Sequence, residues 1–310
     1  MSSVLSDRHF HDEAAAYAFV EARVWPEGPV CPHCGGFDRI GKMGGKSTRI
    51  GTYKCYQCRK PFTVKVDTVF EASHVPMHLW LQAMFLLSSS KKGISSNQIH
   101  RTLGVTLKTA WFMAHRIREA MRTVGFEPMG GAGRIVEADE TYFGDKEHVT
   151  KRTKKGKSGH GSKRSIVALV ERGGNARTFH VDRADKVTVT GIVCQNLDRE
   201  VRLMTDESRL YGDAKAVVAS HETVNHARGE YVRGDVNTNT VEGYFSIFKR
   251  GMKGVYQHCS EKHLHRYLSE YDFRYNNRTA LGVNDLDRTE AAIRGIVGKR
   301  LTYETTNRRA

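Results

Sequence analysis

Read from the N-terminus, the spacing of apolar side chains changes character along the chain. Asp12 to Val24 reads as a short helix, closed by Trp25-Pro26-Glu27-Gly28-Pro29. Phe62 to Phe70 places β-branched and aromatic residues at strand-like spacing. Residues 76–125 read as three helices. Trp80, Leu81, Met84, Phe85 and Leu87 give the first an apolar face, and Ser95 or Ser96 can cap a second carrying Ile99 and Leu103. Gly104 breaks that helix and Thr106 can cap the third. There Leu107, Ala110, Trp111, Ala114, Ile117 and Met121 recur at steps of three and four, while Lys108, Thr109, Phe112 and Arg116 fall largely away from the buried face. Pro128 to Gly133 is the best linker. Beyond it the pattern predicts strands near 134–142, 165–171 and 177–181, a helix near 186–196, a strand near 201–205, and helices near 238–250 and 261–276. That order suggests a mixed α/β domain.

Composition narrows the partner. The 310 residues suffice for roughly two to three domains. The net charge of +15 favours a polyanion, since lysines and arginines displace counterions from phosphates. No segment approaches ~20 uninterrupted apolar residues and the N-terminus has no signal-peptide stretch, so no membrane partner is expected and the protein is expected to be soluble and cytoplasmic, associated with the nucleoid. Lys146 to Arg164 holds eight basic residues and one acid, Glu147. With Gly156, Gly159 and Gly161 keeping it flexible, this segment is either a solvated loop or an arm for DNA phosphates. Lys151, Arg152, Lys154, Lys155 and Lys157 are then the candidate contacts.

Cys31-Pro32-His33-Cys34 and Cys55-Tyr56-Gln57-Cys58 are separated by residues 35–54. Two such knuckles can bring four thiolates to one tetrahedral zinc, with the intervening residues forming the hairpin of a ribbon. Four protein ligands close the coordination sphere, so this metal is structural. The short second helix, glycine turn and longer third helix read as a helix-turn-helix. Lys108, Thr109 and Arg116 are its candidate DNA contacts, and an ordinary three-helix bundle is the bland alternative.

Three carboxylates stand out by placement. Asp139 lies inside the strand-like run Ile135 to Tyr142, Asp206 follows the run Val201 to Thr205, and Glu242 lies on the helix from Thr238 to Arg250. On that helix Val241, Tyr244, Phe245 and Phe248 form an apolar face, and Glu242, Ser246 and Lys249 form the other. Singly, each acid has a plain reading: Asp206 starts a turn, Glu242 completes a capping box after Asn239, Asp139 is a surface acid. Together, in strand, strand, helix order within a basic chain, they suit phosphodiester chemistry. Two magnesium or manganese ions ~3.5–4 Å apart can be held by hard carboxylate oxygens there, with Lys249 on the phosphate.

These residues resemble a known family. Trp25 to Gly35, Tyr53 to Lys60, Asp139 to Gly144, Thr205-Asp206-Glu207, Asn237 to Arg250 and Tyr267 to Arg278 look like the matching stretches of bacterial insertion-sequence transposases of the acidic-triad (DDE) class, in the subgroup with an N-terminal zinc ribbon. The resemblance runs from about residue 10 to 280. It implies a ribonuclease-H-like catalytic domain in which Asp139, Asp206 and Glu242 ligate the catalytic metals and Lys249 is the downstream lysine. His221 and His226 also match the family, and a satisfied structural role is the better reading for them.

The expected organisation is an N-terminal helix (1–29), a zinc ribbon (30–75), a helix-turn-helix domain (76–127), a ribonuclease-H-like α/β catalytic domain (134–280) and a C-terminal tail (281–310). The expected function is binding of an element's terminal inverted repeats, metal-dependent strand cleavage and transfer into target DNA, by a dimer or larger assembly. A non-catalytic DNA-binding regulator would need only the first ~125 residues. A plain nuclease such as a junction resolvase would not need two DNA-reading modules.

Overall fold

The computed structural model describes residues 3–123, 125, 127–145 and 163–302. In chain order its elements are α1 (Glu13–Val24), β1 (Ile40–Lys42), β2 (Tyr53–Cys55), β3 (Pro61–Phe62), α2 (Met77–Ser89), α3 (Ser96–Leu103), α4 (Leu107–Met121), β4 (Ile135–Asp145), β5 (Lys163–Glu171), β6 (Ala176–Val181), α5 (Lys186–Asn196), β7 (Arg202–Thr205), β8 (Ser220–Thr223), α6 (Asn239–Gly251), α7 (Leu264–Asn276) and α8 (Asp285–Arg294). Short 3-10 turns connect several of them. The chain divides into two units, Met1–Arg122 with Val283–Ala310, and Thr123–Gly282. Among the described residues no helix is long and apolar enough to cross a membrane.

In the first unit the Asp12 carboxylate caps α1 by accepting from the Ala15 amide at 2.7 Å. Strands β1, β2 and β3 form an antiparallel sheet in that order. Its small core holds Cys31, Cys55 and Phe62, with Trp25 set edge-on to Tyr53 and Phe62 at 5.6 and 5.7 Å. The strand expected over Phe62 to Phe70 is confined to Pro61–Phe62. Val64, Val69 and Phe70 are buried, but the backbone between them satisfies itself in turns: Val66 donates to Thr63 O, Thr68 to Lys65 O, and Asp67 takes φ +58°. Burial of apolar residues therefore mimicked a strand; among the described residues the segment beyond Phe62 pairs only through an isolated antiparallel bridge, Thr68 with Val297.

Ser95 caps α3 through the Gln98 amide, Gly104 ends it in the left-handed conformation (φ +66°), and Thr106 caps α4 through the Thr109 amide. Helix α4 buries more of its circumference than the apolar spacing indicated. Met113, His115, Arg116 and Arg118 are buried, whereas Leu107 is exposed. The C-terminal segment is not a tail. Residues from Val283 onward cluster with the first unit, and α8, opened by an Asn284–Asp287 capping box, buries Thr289, Ala292 and Ile293. Arg288 donates to the Ser88 carbonyl at 3.0 Å, and Arg23 pairs with Glu290.

In the second unit five strands lie in the order β6-β5-β4-β7-β8. The pairs β6–β5 and β5–β4 are antiparallel; β4–β7 and β7–β8 are parallel. Alternation along β4 and β5 serves two helical layers. Val136, Ala138, Val167 and Leu169 pack with Val189, Ile192 and Val193 of α5. On the other face Ile166, Ala168 and Val170 pack with Val241, Tyr244, Phe245 and Phe248 of α6 and Leu264, Leu268 and Tyr271 of α7. Strand β8, Ser-His-Glu-Thr, carries no apolar alternation and so was not legible in the sequence. The wide β5 run, buried from Arg164 to Val170, is what a central strand covered on both sides requires.

Candidate active site and cysteine cluster

The four paired cysteines meet. Each knuckle closes with a residue in the left-handed region directly after its second cysteine, Gly35 at φ +72° and Arg59 at φ +62°. Cys31 accepts from the Gly35 amide at 2.8 Å and its own amide donates to Gly36 O at 2.9 Å, which turns both thiols of the first knuckle inward. All four Sγ atoms lie within 4.8 Å of one another, and the pairs Cys31–Cys58 and Cys34–Cys55 are each 3.7 Å apart. A tetrahedral Zn–S distance of ~2.3 Å implies S–S separations of about 3.8 Å, so the donor set fits zinc in type and spacing.

The acids are positioned by the parallel pairing of β4 with β7. Glu137 pairs with Met204, and the same register extended two residues sets Asp139 beside Asp206, just beyond the end of β7. Asp139 Oδ1 accepts from the Glu140 amide at 2.7 Å and Asp206 Oδ1 from the Ser208 amide at 3.0 Å. Glu242 is exposed on the first turn of α6, where its Oε1 accepts from the Thr238 hydroxyl at 2.8 Å and lies 3.9 Å from His226 Nε2. Burial, and then the negative charges of Glu140, Asp206 and Glu242, push the Asp139 carboxyl up to about 7. Burial also raises the Asp206 carboxyl. Asp139 and Glu242 line one cavity of about 640 Å³ together with Ser246, Lys249, Arg250 and Lys253. Asp206 is near enough for its charge to act on Asp139. Among the described residues the cysteines are the only group of three or more His, Cys, Asp or Glu ligand atoms drawn within 4.8 Å of one another; Asp139, Asp206 and Glu242 are not drawn together to that distance, and Asp206 is not among the residues lining the cavity.

Three features of this site escaped the sequence reading. Glu140 is a fourth acid, held by the Ser208 hydroxyl at 3.3 Å and the Tyr211 hydroxyl at 3.1 Å. Arg250 and Lys253 join Lys249 on the cavity wall: Arg250 follows it directly on α6, and Lys253, four residues on, keeps to the same side as α6 runs into a π-helical turn, Met252–Tyr256, closed by Gln257 at φ +57°. The steps of four and three from Glu242 through Ser246 to Lys249 extend by four to Lys253, a signal lost by ending the expected helix at Arg250. His226 stacks on Tyr231 at 5.0 Å, beside Glu242, whereas the half-buried His221 sets its Nε2 2.9 Å from Thr205 Oγ1.

The other expected contacts divide. Lys108 is exposed and Thr109 half-buried at the start of α4. Arg116 is corrected: it is buried, and its guanidinium donates to the carbonyls of Val69, Glu71 and Leu301 at 2.8, 2.8 and 3.2 Å. Its role is to hold chain segments together, so it is not available to a nucleic acid. Lys151, Arg152, Lys154, Lys155 and Lys157 lie outside the described residues.

Comparison with known proteins agrees with this layout. Residues 130–276 match the ISXO2-like transposase domain, and residues 11–61 match the transposase zinc-ribbon domain. By these two domains the chain belongs to the insertion-sequence transposases of the DDE class. The transposase is 28% identical over 264 residues to an uncharacterized protein in transposable element ISH50 of Halobacterium salinarum, covering 81% of this chain and 86% of the relative. A chain in the cryo-EM structure of the simian T-cell lymphotropic virus intasome in complex with PP2A regulatory subunit B56 gamma aligns with 56% of the transposase. The transposase spans 63% of that chain at 14% identity, and the TM-score of 0.29 is too low to inform the fold.

Proposed function

We propose that this transposase cuts and joins DNA strands at the ends of its element, using Asp139, Asp206 and Glu242 on a ribonuclease-H-like sheet. The observation that carries the reading is the mixed cavity, in which Asp139 and Glu242 face Lys249, Arg250 and Lys253 across about 640 Å³. Carboxylate oxygens are the donors that magnesium or manganese takes. Such ions, when bound, would supply stabilisation of negative charge on the attacking and leaving oxygens. The chain's own residues supply the rest. Lys249, Arg250 and Lys253 attract and orient the phosphodiester, and Ser246, between Glu242 and Lys249 on the same helix, offers a hydroxyl to it.

Recognition of the element's terminal inverted repeats and of target DNA is assigned to the helix-turn-helix formed by α3 and α4, with Lys108 and Thr109 at its exposed start, to the zinc ribbon, and to the basic segment containing Lys151, Arg152, Lys154, Lys155 and Lys157. Holding two ends at once calls for a dimer or larger assembly, which the mass of the DNA-bound complex would report.

The test is cleavage and strand joining on an oligonucleotide bearing the element's end, with magnesium or manganese. Asp139→Asn and Glu242→Gln are expected to lose at least about a hundredfold in rate while binding the same DNA, the scale on which a charge-stabilising group acts. Cleavage at the parent rate in either variant overturns the assignment.

A further inference from the structure

Helix α6 lacks the local cap its sequence offers. Thr238, at the N-cap, makes no capping hydrogen bond; its hydroxyl is turned to Glu242 instead. The two first-turn amides of Thr240 and Val241 are satisfied by a residue from another element. Glu137 of β4, fully buried, accepts from the Thr240 amide at 2.7 Å and from the Val241 amide at 3.0 Å through Oε2. Its Oε1 accepts from the Thr240 hydroxyl at 2.8 Å and from Arg172 Nε at 2.5 Å. Arg172 uses its two remaining nitrogens on the carbonyls of Asp235 and Asn237, at 2.7 and 3.0 Å, in the segment that leads into α6. Its own amide donates to Ile135 O on β4.

The placement of this capping carboxylate matters. Glu137 precedes Asp139 by two residues on one strand, so both point to the same sheet face. The amides it binds belong to the two residues directly before Glu242. A negative charge at a helix N-terminus is favoured by the aligned peptide dipoles, and a buried one fully matched by four donors fixes orientation as well as distance.

We propose that Glu137 is a positioning residue: with Arg172 it clamps the strand of Asp139 to the helix of Glu242 and so sets the separation of the two metal-binding carboxylates. This rests on the site reading given above. Removing an outer partner that orients metal ligands typically weakens metal binding about 10–100-fold.

The experiment measures manganese binding to the full-length, zinc-loaded protein, with exchange of the Thr240 and Val241 amides as a second readout. In Glu137→Gln, manganese affinity is expected to fall about 10–100-fold, those amides to exchange faster, and zinc content to stay unchanged. Val189→Ala, which hollows the core on the opposite sheet face, controls for general destabilisation: it should lower the melting temperature and leave manganese affinity where it was. Should Glu137→Gln not fold, Glu137→Asp keeps the buried charge but shortens its reach, and an intermediate loss is expected. Parent-like manganese affinity in the Glu137 variant, or an equal loss in Val189→Ala, overturns the positioning role. Manganese binding that survives Asp139→Asn overturns the site reading itself, whereas its loss there with no change in Glu137→Gln overturns only the role of Glu137.

Discussion

Asp139 shows how position gives an ordinary side chain its chemistry. Its carboxyl titrates near 7 instead of 3.8, because burial and then three neighbouring acids oppose its charge. Two consequences follow from the sign of that shift. Without divalent ions the folded state holds a proton that the unfolded state has released, so this carboxyl's contribution to stability is full below about 3.8 and is lost as the pH rises through about 7. Melting temperature measured from pH 5 to 8 without added divalent ions should therefore fall less steeply in Asp139→Asn than in the parent. A bound cation favours the ionised form, so manganese affinity should rise with pH up to about 7 and flatten above it. Arg116 makes the opposite point. Its spacing on α4 suggested an outward, DNA-facing guanidinium, but three backbone carbonyls compete for it and the helix is covered there.

At the scale of elements, α6 is the piece on which the site depends. Its apolar face of Val241, Tyr244, Phe245 and Phe248 is buried against the sheet and α7, and the opposite face lines the cavity. Both faces were legible because a 3.6-residue repeat sorts them without tertiary information. Phe248 is fully buried, with Tyr271 edge-on at 5.2 Å. Phe248→Ala should cost roughly 3–5 kcal/mol in denaturant unfolding, by transfer and cavity terms together. A cost under ~1 kcal/mol would mean that α6 is not anchored there. The π-helical turn after α6 was not legible, nor was β8: one depends on a local winding choice, the other on a polar strand recruited by pairing with β7.

The whole molecule consists of two units with different sources of stability. The second unit has an α/β core with a helical layer on each sheet face. The ribbon in the first has three short strands around Cys31, Cys55 and Phe62, too little apolar surface to hold without its metal. Stripping zinc with a strong chelator should lower one calorimetric transition by ten degrees or more, on the order expected from loss of a structural metal, and leave the other in place. A uniform loss of both transitions would contradict that division. The residues from Val283 onward belong to the first unit although the chain reaches them only after completing the second. That return is invisible to any reading that assigns domains by consecutive segments.

Sequence alone determined what repeats locally or is chemically rare: the cysteine knuckles, the helical faces, the α/β alternation and three acids in strand, strand, helix order. Periodicity and ligand chemistry are properties of neighbouring residues, so they survive without coordinates. Only the tertiary structure decided that Arg116 is enclosed, that the C-terminal segment rejoins the N-terminal unit, and that Glu137 caps a helix a hundred residues away. Each of these is a hydrogen-bonding or burial choice between distant parts of the chain, and which donor meets which acceptor is settled only when packing brings them together.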